Sequence, residues 1–231
     1  MPSNRLKVGD TLRAAGTAFD ANRGEVIRLT LLFAVLSAAS ALLDIAGPAG
    51  LAISFGVTIL LGASYSGMVT ALICLPGRSE GIGELWTAVK PVLARLIWVT
   101  LVTAIALILG LAAFIVPGLV IVTVWSVAGQ TVVVERTSVF EALGRSFDLV
   151  RDNGWRVFGY LLVLGLISLL MLGLSLLVSA PLGTGLLANL VASFLSNLLS
   201  TPVLAIGSAV LYSRLAELNR QAAPDDSGSA T

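Results

Sequence analysis

The residues best able to do chemistry form a run of charges, Glu135, Arg136, Glu141, Arg145, Asp148 and Arg151, set between two long apolar stretches. Glu141 stands four residues before Arg145, the order in which an acid and a base support a helix by about 0.3 kcal/mol. Glu135 abuts the end of an apolar run, where the dielectric falls and a partner such as Arg145 matters more. The cluster Glu135, Glu141, Arg145 and Asp148 therefore has two readings, structural ion pairing and contact of its arginines with anionic headgroups. A second polar set, Asp44, Gln130, Asn189 and Asn197, lies within apolar stretches. Asp44 suits either cation handling or solvation of a helix end, since it is two residues from an Ala46-Gly47-Pro48 turn. Asn189 and Asn197 are eight apart and share a helix side, and Pro202 frees a backbone carbonyl one turn earlier. With Gln130 they could form a solute site, or they could be glue between helices.

Catalytic chemistry has little to stand on. Histidine is absent, which removes the usual near-neutral acid or base and the usual metal ligand. The single Cys74 allows neither an internal disulfide nor a thiolate cluster. No GxSxG elbow, HExxH pair or glycine-rich phosphate loop occurs. The sequence thus offers no catalytic residues, metal ligands or cofactor site, and the expectation is that the chain is not an enzyme. Nucleic acid is not an expected partner, because the basic residues alternate with acids instead of forming a patch.

Those residues must be held by membrane helices. The 231 residues are 57% hydrophobic and 12% charged, with a mean hydropathy of +0.97; a soluble domain carries about 25% charge. The apolar runs are too long for the roughly 10-residue strands of an outer-membrane barrel. Six spans follow, at Val26–Ala46, Leu51–Leu75, Ile97–Ile115, Leu119–Val134, Val157–Ala180 and Thr184–Tyr212, the last kinked or tilted at Pro202. Lys and Arg occur only before Leu29, at Arg78–Arg95, at Arg136–Arg156 and from Arg214 on, and the other three connections carry none. The positive-inside rule then places both termini in the cytoplasm. The early charges leave no apolar signal-peptide core, so the first run is expected to stay as a span.

Three amphipathic segments precede the odd-numbered spans. Val8, Leu12, Ala15 and Phe19 make one apolar side, Ile82, Trp86, Val89 and Leu93 a second, and Val139, Leu143, Phe147 and Val150 a third. The third opens on a Ser138–Glu141 capping box, and Pro91 bends or divides the second. Each places an acid two residues before an apolar side chain: Asp10 and Leu12, Glu84 and Trp86, Glu141 and Leu143. Three repeats of one interfacial helix plus a hairpin explain this, and so does convergence on that arrangement. The expected fold is all-α and polytopic. It comprises a cytoplasmic N-terminal segment at 1–24, a membrane domain at 25–215 with cytoplasmic helices near 80–95 and 138–153, and a disordered tail at 216–231.

Pro117-Gly118, an apolar run containing Trp125, and then VVVERTSVFEALGRSFDLVRDNGWRVFGYLL resemble a bacterial membrane domain. That domain is attached to some glycerophosphoryl diester phosphodiesterases and occurs in related stand-alone multi-pass proteins. The matching positions are Glu135, Glu141-Ala142-Leu143, Arg145-Ser146 and Gly154-Trp155, with fainter likeness at Val8-Gly9-Asp10 and Gly83-Glu84-Leu85. The resemblance covers residues 5–215, departing at Pro91 and in a short third-to-fourth connection. It implies a six-helix bacterial inner-membrane protein and lends no catalytic residue, because the phosphodiesterase activity of the fused proteins resides in a separate, histidine-using domain. The functional expectation is a scaffold, partner-binding or lipid-associated protein, with membrane lipids and membrane or envelope proteins as partners. The alternative is a transporter or lipid-handling protein with a polar site between the fourth and sixth spans.

Overall fold

Residues 6–75, 81–183 and 185–222 are described by a computed structural model. The Pro76-Gly77-Arg78 turn, Thr184 and the tail from residue 223 lie outside them.

Apolar length and turn chemistry set the elements. Helix α1 (Val8–Ala21) is amphipathic and leads through Asn22 into α2 (Arg23–Ser40). A 3₁₀ turn over Ala41–Ala46 reverses the chain into α3 (Gly47–Cys74). This reversal depends on glycine twice. Gly47 has φ +75°, where a side chain is strained, and a Cβ on Gly50 would collide with the carbonyl of Leu43. The second unit repeats the layout: α4 (Ile82–Val89), a 3₁₀ turn at Lys90–Val92 around Pro91, then α5 (Leu93–Ala113). The return pass is interrupted, with α6 (Ile115–Val124) and α7 (Ala128–Glu135) separated at Trp125–Val127. The third unit is α8 (Val139–Val150), a 3₁₀ turn at Arg151–Asn153, α9 (Gly154–Ser179) and α10 (Leu186–Ala222). An amphipathic helix, a short break and a hairpin of spans thus occur three times in succession.

Among the described residues, six helical stretches contain a run long and apolar enough to cross a membrane: Arg23–Leu43, Gly47–Cys74, Ile82–Ala112, Val116–Glu135, Val139–Leu182 and Leu186–Gln221. The protein is an all-α, polytopic membrane protein. Helix α10 packs against α9, α2, α3 and α1 and touches α7 and α8. The most apolar windows of the first, second and fourth spans are 39–50% buried, those of the other three only 11–17%. The third and fifth spans therefore turn many side chains, such as Ile108, Leu109, Leu169 and Leu170, toward lipid, while α10 is largely half-buried among its neighbours.

Several boundaries differ from those the sequence predicts. The third-to-fourth connection breaks at Phe114, and Pro117 sits inside the first turn of α6, where its missing N–H leaves no unmet bond. Helix α10 is continuous through Pro202 and runs to Ala222, past the domain end expected at residue 215. The apolar sides expected of α4 and α8 turn inward only in part. Leu85, Ala88 and Val89 are buried in α4, and Ala142, Leu143, Ser146, Leu149 and Val150 in α8, whereas Trp86, Phe140 and Phe147 are exposed. Small and branched side chains fit between closely packed helices, and the aromatic ones face outward. On α1 the expected side, Val8, Leu12, Ala15 and Phe19, is half-buried against the bundle.

Candidate functional site

The charged run folds into a node where three elements meet. Val132 and Val133 are buried, which carries α7 to the surface of the bundle and leaves Glu135 as its final residue. Arg136 follows at φ 55°, a left-handed conformation that ends the helix and turns the chain toward α8. This is a costly place for a non-glycine residue, and the guanidinium of Arg95 braces it by donating to the Arg136 carbonyl at 2.8 Å. Ser138 then starts α8. Its backbone N–H donates to Glu141 at 2.8 Å, completing the reciprocal capping box expected from the sequence. That bond from the Ser138 backbone, with the Ser138 side chain and then Arg95 nearby, holds the Glu141 carboxyl below its ordinary range.

Glu141 is thus occupied by the cap, and Arg145 turns elsewhere. Its Nε lies 3.2 Å from both oxygens of Glu135, so the i,i+4 pair expected on α8 is replaced by a pair between α8 and α7. The two side chains are 34% and 28% exposed, which keeps the ion pair itself modest in strength. A third participant comes from α10, where the Tyr212 hydroxyl donates to the same carboxylate at 2.9 Å. Tyr212 is buried, and no residue pattern within its apolar helix marks it for this role. The node therefore ties α7, α8 and α10 together. Asp148, the fourth member of the predicted cluster, is exposed and makes no ion pair among the described residues.

The inner side of α8 is secured by backbone acceptors. Ser146 Oγ donates to the carbonyl of Val124 at 2.7 Å, where the interruption between α6 and α7 leaves that group without a helical partner. Thr131 Oγ1 donates to Ala128 at 2.7 Å and reaches the Ala142 carbonyl at 3.4 Å. Nearby, Tyr160 of α9 donates to the carbonyl of Gly207 on α10 at 3.0 Å. Ser146 and Gly207 serve these contacts because their small size lets the backbones approach.

The predicted intramembrane set does not converge. Gln130 is buried and donates across to Ser208 of α10 at 2.7 Å, a polar contact between the fourth and sixth spans. Asn197 donates to Ser193 of its own helix at 2.8 Å and accepts from Thr201. Asn189 is exposed. Positions 197 and 208 are separated by about 16 Å along the helix axis at 1.5 Å per residue. The side chain of Asp44 lies outside the described part of the structure.

Chemically, the node is committed to holding helices. The Glu135 carboxylate is engaged by a guanidinium and a phenol, and the Ser138 hydroxyl takes part in the cap. Among the described residues no group of three or more His, Cys, Asp or Glu could hold a metal ion. Comparison with curated proteins and with solved structures finds no match. A family model does match residues 81–216, which carry spans three to six and the whole of the Glu135 node. By that match the chain belongs to the family described as a domain of unknown function (DUF7847).

Proposed function

We propose that this chain is a non-catalytic scaffold of the bacterial inner membrane, with both termini cytoplasmic and a fixed cytoplasmic surface for a membrane or envelope protein partner. The observation that carries this reading is the Glu135 node, which holds α8 against two spans through groups that a catalytic site would need free. The acid left exposed on α8, Asp148, supplies charge of the kind that partner recognition uses. The finer likeness to the membrane domain attached to glycerophosphoryl diester phosphodiesterases supports the same view, since the chemistry of those proteins lies in another domain. The transporter alternative draws support only from the Gln130–Ser208 contact.

Two experiments test the proposal. In a Cys74→Ala background, a membrane-impermeant maleimide applied to intact cells is expected to label Leu182→Cys and to spare Gln221→Cys until the membrane is opened. The reverse pattern would overturn the topology. A photo-crosslinker at position 148 is expected to capture a discrete protein in living cells, and capture should fall in the Glu135→Ala, Tyr212→Phe variant. Equal capture with the node broken, or no adduct from any exposed position of α8, would overturn the scaffold reading.

A further inference from the structure

A cavity of about 860 Å³ opens sideways between the fourth and fifth spans. One wall is α6, with Val116, Leu119, Val120 and Thr123 facing it. At about 1.5 Å per residue, the wall from Val116 to Val124 is about 12 Å long. One leaflet of a bilayer holds about 15 Å of hydrocarbon, so the groove suits most of one acyl chain. The Val124 end is held beside α8 by the Ser146 hydrogen bond.

The polar part of the lining follows α8 in the chain. The 3₁₀ turn and first residues of α9 form it, bringing Arg151, Asp152 and Arg156 to the mouth of the cavity beside Trp155. Arg151 and Asp152 lie 3.7 Å apart, with side chains 61% and 80% exposed, so they form a loose pair. Arg156 is half-buried and has no carboxylate within 4 Å among the described residues. The three charges together leave the mouth net positive. Trp155 is 86% exposed, as befits a ring seated at headgroup level.

We propose that this groove is a binding site for one anionic phospholipid of the surrounding bilayer. An acyl chain lies along α6, and the phosphodiester meets Arg156 and Arg151 at the start of α9. This site is separate from the Glu135 node and does not depend on the scaffold reading.

Native mass spectrometry of the purified full chain in detergent, with phosphatidylglycerol and phosphatidylcholine supplied in equal amounts, tests the assignment. The expected result is a single retained phosphatidylglycerol per chain, preferred about tenfold, with the preference lost in the Arg151→Gln, Arg156→Gln variant. Val120→Trp, at an exposed position on the groove wall, is expected to abolish retention of either lipid. Should a variant fail to fold, the wild type decides: its preference must shrink as ionic strength rises. Equal retention of both lipids at every ionic strength would overturn the proposal. So would a doubled protein mass without lipid, which would assign the groove to a second copy of the chain.

Discussion

Removing the Tyr212 hydroxyl should cost more than breaking the ion pair it accompanies. In Tyr212→Phe the Glu135 carboxylate loses a donor at 2.9 Å supplied by a buried side chain. Hydrogen bonds to charged groups contribute about 1.5–3 kcal/mol, and the partial exposure of Glu135 places this one near 2 kcal/mol. The Arg145–Glu135 contact is bifurcated at 3.2 Å, but both side chains are about a third exposed. Solvent screening then holds it to about 0.5–1 kcal/mol. Glu135→Ala removes both interactions and leaves the tyrosine hydroxyl unmet, for a total near 3 kcal/mol. Double-mutant cycles in mixed micelles, with unfolding by dodecyl sulfate followed by circular dichroism, separate the two contributions. The expected coupling is about 1.5–2 kcal/mol for Glu135 with Tyr212 and below about 1 kcal/mol for Glu135 with Arg145. A coupling near zero for the tyrosine, or a larger one for the arginine, would refute the claim that α10 anchors this node.

Three further outcomes follow from the same structure. In Gly207→Val the new Cβ would fall 2.5 Å from one methyl of Leu164 and 3.0 Å from the other, so unfolding in the same assay should come earlier by about 1–3 kcal/mol; an unchanged transition would mean that α9 and α10 are not this close. Arg136→Gly should stabilise by about 0.5–1 kcal/mol, since glycine relieves the left-handed backbone while the carbonyl still accepts from Arg95; a loss of stability would show that the arginine side chain carries weight of its own. The cap on α8 should depend on pH with a definite sign. Because the Glu141 carboxyl is held below its ordinary range in the folded chain, its contribution is complete above that range and is lost as pH falls through the folded value. Amide exchange at Ser138 is therefore expected to quicken in acid, and Glu141→Gln should flatten that dependence. Equal pH sensitivity in both proteins would remove Glu141 from the cap.

What the sequence made legible, and what it did not, follows from which interactions are local. Six spans, three amphipathic helices and the Ser138–Glu141 cap depend on hydropathy and on neighbours three or four residues apart, and all are present. The interruption at Trp125–Val127 was not legible. Trp125-Ser126-Val127 carries no glycine or proline to mark a break, and the hydrogen bond that meets the freed Val124 carbonyl comes from Ser146, twenty-two residues on. The expected apolar sides of α4 and α8 divide between inside and outside for a related reason, with Val89, Leu143 and Val150 buried and Trp86 and Phe147 exposed. In water the largest apolar side chains mark the buried side, but beside a bilayer Trp86, Phe140 and Phe147 are accommodated outside while Ala88, Ala142 and Ser146 go in. Tyr212 entered the node unannounced because the partner that gives it a role, Glu135, is seventy-seven residues away. Asn189 and Asn197 share a helix side by spacing, with Gln130 on another span, but each side chain's surroundings are decided by which span faces it.

The limits of the family match bear on how the fold is held together. Residues 81–216 include the node and the lateral groove but leave out α1, α2 and α3. Those helices are not an appendage. The main core joins Val26, Leu29, Phe33, Tyr65 and Val69 from α2 and α3 to Leu85, Val89, Leu96 and Val132 from the matched part. Gly67 lies so close to Val89 and Leu96 that a Cβ there would approach them to 2.8 and 3.1 Å. Inside this contact, Thr30 and Tyr65 meet at 2.8 Å and Phe33 packs 5.0 Å from the Tyr65 ring. In this chain the first hairpin therefore closes the inner face of the matched four-span unit, and the unit's other side faces lipid. A bundle closed in this way leaves its amphipathic helices and its lateral groove as the surfaces on which it can meet other molecules.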